Sequence, residues 1–130
     1  MKPIHPATTA LVSLIVLQTV MLLAMFFQAP PHPPYETPLF GMGPLLGMSL
    51  VCAIAAIMQG GSETRPGRFL SMGAAVLAMV SYGPQKWFDA AIAQIWPAVG
   101  AAQIATAIIM FSIYRAVTAS SPNHIPASGN

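Results

Sequence analysis

Four stretches of the chain hold almost nothing but apolar and small residues, and the polar residues collect between them and at the two ends. The stretches cover residues 7–28, 41–59, 68–83 and 90–117, and each predicts a helix in a bilayer. The first runs for about twenty residues without a charge, enough for a span of ~30 Å at ~1.5 Å per residue. A cleaved signal peptide is the rival reading, because Lys2 precedes the run and Ala29 follows it. The run is too long for an ordinary signal core, no small-x-small pair precedes a plausible cut, and Pro30 and Pro31 follow at once, so retention is expected.

The second run, Gly43 to Met58, is short at ~24 Å as a helix, so it starts earlier, at Leu39, or thins the bilayer locally. Pro44 suits a first helical turn, where its missing amide costs nothing. Gly43 and Gly47 stand in small-xxx-small spacing, which lets two helix backbones approach within the chain or across a dimer face. The third run, Phe69 to Tyr82, supplies Ser71, Gly73, Ala74, Ala75 and Ala78 for tight packing and stops at Gly83 and Pro84. A hairpin entering and leaving by one face is the alternative to full spanning for segments this short. The fourth run, Ala90 to Val117, would be ~42 Å long with Pro97 inside it, which predicts a kink or a break there.

The connectors are polar or stiff. Residues 29–40, APPHPPYETPLF, hold five prolines and read as a rigid loop in preference to a proline-rich recognition motif. QGGSETRPGR, residues 59–68, is a solvent loop. At the third connector Asp89 suits a cap for a helix beginning at Ala90, and Lys86 is three residues away and able to pair with it. Tyr35, Trp87 and Trp96 sit where interfacial aromatic anchors belong. Beyond the last run, residues 119–130 read as a polar, flexible cytoplasmic tail to a single domain over residues 1–118.

Composition changes the picture in one respect. With 55% hydrophobic and 6% charged residues the chain cannot cover itself as a soluble domain, and the predicted fold class is an all-α integral membrane protein, four transmembrane helices in a compact bundle. The net charge of +2 comes without any basic cluster, so no nucleic acid is expected as a partner. Lys2, Arg65, Arg68 and Arg115 fall on one side of an alternating four-span topology and only Lys86 on the other. The bias of basic residues toward the cytoplasm then puts both termini there, in an inner (plasma) membrane.

Candidate chemistry is sparse. His5, His32 and His124 lie in loops or termini, unable to ligate haem between two helices, and the lone Cys52 excludes a dithiol. No carboxylate lies in an apolar run, which argues against a proton-coupled exporter of this size. Met21 and Met25, one turn apart, suit Cu(I), but the nine methionines are scattered as flexible packing residues are. Glu36, Lys86 and Asp89 share the outer side without a nucleophile, metal-ligand set or phosphate loop, and read as structural.

The remaining polar candidates are Gln18, Gln94, Gln103 and Thr106, either a polar lining or interhelical bonds worth ~1 kcal/mol each. Gly43, Gly47 and Gly73 are the candidate packing positions. No catalytic residue, cofactor or metal is expected. Two functions are carried forward, with the lipid bilayer as the common partner. The first is an accessory or structural subunit of a membrane complex. The second is a homo-oligomeric channel or transporter for a small neutral or weakly charged solute.

Overall fold

The structure is a computed structural model that describes residues 5–29 and 39–120. Tyr35, Glu36, His32 and the other residues 30–38 of the proline-rich connector lie outside the described residues, as do Lys2, His124 and the tail beyond Ser120. The described residues form four α-helices: α1 (Pro6–Phe26), α2 (Leu39–Met58), α3 (Arg65–Tyr82) and α4 (Ile92–Ala119). A short 3₁₀ turn, Pro84–Phe88, precedes α4, and no strand occurs among the described residues.

Each helix packs on its two neighbours in a ring, α1 on α2, α2 on α3, α3 on α4 and α4 back on α1, with α2 against α3 the most extensive pair. Side-chain size is sorted in the direction expected for lipid surroundings. Ala10, Ala53, Ala56, Ala74, Ala75, Ala78, Ala102 and Ala105 fill the interior together with Leu11, Leu14, Val99 and Ile109. Val12, Val16, Val20, Leu23, Val51, Ile54 and Phe111 point outward. Small residues inside let helices approach closely, and large apolar residues outside are tolerated only where the surroundings are themselves apolar. α1, α2 and α4 are long and apolar enough to cross a membrane. α3, with Arg65 and Arg68 among its 18 residues, is not in that group.

The α2–α3 connection is built to be tight. Gly60 and Gly61 take φ of 86° and 61°, a region costly for other residues. The Thr64 hydroxyl then serves both helices, donating to the Gln59 carbonyl and accepting from the Gly67 amide at 3.1 Å. One side chain thereby closes the end of α2 and caps the start of α3. Gly67 packs so near the Gly61 carbonyl that a Cβ would collide with it. His5 reaches the same loop through an exposed 2.9 Å contact with Glu63, tying the start of α1 to this end.

Two expectations need correction. α4 is one continuous helix through Pro97, so the break does not fall there; the proline stands five residues past the helix start and removes the amide that would bond to the Ala93 carbonyl. The interruption comes earlier, at Asp89–Ala91, so the helix begins at Ile92 and not at Ala90. In addition, Gly43 and Gly47 make no tight packing against the described residues: a Cβ on either would meet none of them within 4 Å. Gly73 does face another helix, with Cys52 Sγ 3.8 Å from where its Cβ would stand.

Candidate functional site

The polar side chains converge at the end of the bundle where α3 gives way to the 3₁₀ turn. Tyr82, the last residue of α3, is buried and its hydroxyl donates to the Leu17 carbonyl of α1 at 2.9 Å. Gln103 of α4 donates its amide to the Tyr82 carbonyl at 3.2 Å and accepts from Trp87 Nε1 at 3.3 Å. Gln85 turns back to cap α3, donating to the Val80 carbonyl at 2.9 Å. Three helices and the 3₁₀ turn are thus pinned together by one chain of bonds, a clasp that the apolar bundle otherwise lacks at this end.

The adjoining turn carries the expected ion pair, with Lys86 Nζ 3.4 Å from Asp89 Oδ2. Asp89 Oδ1 accepts from the Ala91 amide at 2.9 Å, so the carboxylate braces the turn ahead of α4 and does not cap a helix at Ala90. Its carboxyl is held below the ordinary aspartate value of 3.8, chiefly by the Ala91 amide, with burial opposing and Lys86 adding to the effect. A depressed folded-state pKa stabilises the turn above the ordinary value and is lost as pH falls below it. Hydrogen-exchange protection of the Ala91 amide should accordingly be flat from pH 5 upward and fall as pH drops below 3.8. Asp89→Asn should keep the bond and abolish that pH dependence; an equal loss at acid pH in this variant would assign the effect elsewhere.

Trp87 and Trp96 are both about half exposed, on the 3₁₀ turn and the second turn of α4. The four residues proposed from sequence as a polar network do not form one. Gln94 is exposed near the start of α4, and Gln103 is committed to Tyr82 and Trp87. Gln18, only 1% exposed, has neither amide atom bonded, and the Thr106 hydroxyl, 8% exposed, is also without a partner. Ser71 shares that condition, whereas Ser49 reaches the Ala74 carbonyl at 3.5 Å. An unbonded polar atom costs more in an apolar interior than anywhere else, so Gln18, Ser71 and Thr106 are three positions that packing alone does not explain.

Sequence reasoning missed Tyr82, although its place immediately before Gly83 and Pro84 marks it as the residue closing α3. It also missed the reach of His5 to Glu63, which nothing in the spacing signals. No family model, curated protein or solved structure matches the chain.

Proposed function

We propose that the chain is a non-catalytic, four-span protein of an inner membrane, with both ends cytoplasmic, that works as an accessory or structural subunit by packing against other membrane helices. The observation that carries this reading is the open glycine face of α2. Gly43 and Gly47 are one turn apart with none of the described residues within 4 Å of where a Cβ would stand, and Phe40, Pro44, Met48 and Val51 on the same helix are exposed among those residues. Backbone so bare suits the close approach of a second helix, where van der Waals contact drives association in lipid. Arg65, Arg68 and Arg115 lie at the end of the bundle that holds the α2–α3 loop, and Lys86 lies at the other, which supports the orientation.

The test is co-purification from native membranes in mild detergent, followed by native mass spectrometry. The wild type should retain a stoichiometric membrane partner that Gly43→Ile and Gly47→Ile release, with helicity, read by circular dichroism, unchanged, since a Cβ at either position meets nothing within 4 Å among the described residues. A wild type that runs alone removes the reading.

The channel or transporter reading retains one specific support, the unbonded Gln18 amide and Thr106 hydroxyl inside the bundle. Such groups can line a path for a neutral solute once an oligomer or a small opening brings water to them. Solute flux into proteoliposomes that Gln18→Leu leaves unchanged would end it.

A further inference from the structure

At the opposite end from the Tyr82 clasp, the first turns of α3 and the last turns of α4 diverge around a groove of about 510 Å³. It is lined by Phe69 and Met72 from α3 and by Ile113 and Val117 from α4, of which Ile113 is buried, and Arg65, Arg68 and Ser120 complete the lining. Neither guanidinium has an ion-pair partner among the described residues, and the neighbouring Glu63 is engaged by His5. The groove therefore sets two guanidinium groups without a direct ion pair among the described residues beside an apolar lining.

That profile is the inverse of an anionic lipid. Arginine forks match phosphate oxygens bidentately, and the start of α3 adds the partial positive charge of a helix N-terminus. The end of α4 opposes this with its free carbonyls, of which Ala116 already accepts from the Ser120 hydroxyl and Val117 from the Ser120 amide. Basic pockets between membrane helices on the cytoplasmic side are the usual seats of phospholipid headgroups. We propose that this groove binds one anionic glycerophospholipid, its phosphodiester held by Arg65 and Arg68 and an acyl chain laid over Phe69, Met72, Ile113 and Val117. The proposal rests on the reading that α3 and α4 cross the bilayer with this end cytoplasmic.

Native mass spectrometry of the protein with phosphatidylglycerol or phosphatidylcholine of identical chains tests it. The wild type should keep one phosphatidylglycerol in preference to phosphatidylcholine, and Arg65→Gln with Arg68→Gln should weaken that retention about thirtyfold. Arg65→Lys with Arg68→Lys should restore part of it. Met72→Trp, at a half-exposed site, should fill the groove and lose the lipid with the charges intact, and circular dichroism verifies that each variant is folded. Equal retention of the two lipids, indifference to the glutamine pair, or displacement by millimolar inorganic phosphate each overturns the proposal. So does a dimer that takes the place of the lipid and disappears in Met72→Trp. Alkaline carbonate extraction and a reporter fused after Ser120 read the membrane topology separately. A soluble or outward result sinks the four-span reading, whereas an integrated, inward-facing protein without lipid preference sinks this proposal alone.

Discussion

A Gly67→Ala variant should be destabilised by at least ~2 kcal/mol, against the direction that helix propensity dictates. Gly67 sits in the first turn of α3, where alanine is ordinarily better than glycine by about 1 kcal/mol. The added methyl would run into the Gly61 carbonyl and press on the Thr64 hydroxyl at 2.8 Å. Both obstacles are fixed, one as backbone held in a left-handed turn and the other as the cap that joins α2 to α3. Overpacking against immovable atoms costs ~1–3 kcal/mol or more, and here it also opens the cap, so the steric term wins. Gly73→Ala is the control. Its methyl meets only Cys52 Sγ at an ordinary 3.8 Å, so the propensity gain should survive and the variant should be slightly stabilised. Unfolding in mixed micelles with a denaturing detergent reads both; a stable Gly67→Ala would mean that the loop is far looser than described.

Gln18→Leu should have the opposite sign, a gain of about 2 kcal/mol. The side chains are close in volume, so the site neither collapses nor overfills. What changes is the removal of two polar atoms that are buried without a partner, each costing ~1–3 kcal/mol in an apolar interior. The unfolded chain in a micelle recovers part of that cost by finding water, which is why the expected gain is below the sum. A raised unfolding midpoint with unchanged helicity is the expected result. A fall would mean that the Gln18 amide has a partner in the assembled protein, a second copy or a bound solute, and would make it a functional group.

The helices themselves were legible in the sequence because apolar runs and proline punctuation coincide: Pro6 opens α1, Pro66 stands in the first turn of α3, and Gly83 with Pro84 closes it. The inward faces were not. A membrane helix is apolar all round, so there is no polar stripe to separate Leu11 and Leu14, which are buried, from Val12 and Val16, which are exposed. For the same reason small-residue spacing at Gly43 and Gly47 did not tell an inward face from an outward one, since spacing marks a bare strip of backbone and not what lies opposite it. Lys86 and Asp89 were within reach because they are local in sequence. The bonds from Gln103 to Tyr82 and from Tyr82 to Leu17 join residues 21 and 65 apart and depend on how four helices are stacked, which no local pattern encodes.

The short α2–α3 loop bears on how the protein enters a membrane. α2 is strongly apolar and α3 carries two arginines at its start, so α3 alone has little tendency to leave water for lipid. Thr64 and the three glycines around it bring α3 alongside α2 across a loop of only a few residues, whose closure costs little chain entropy. On the proposed four-span reading the pair would partition as one hairpin, α2 supplying the transfer energy and α3 burying its alanines against it. Insertion of the weaker helix would then be a property of the loop as much as of the helix.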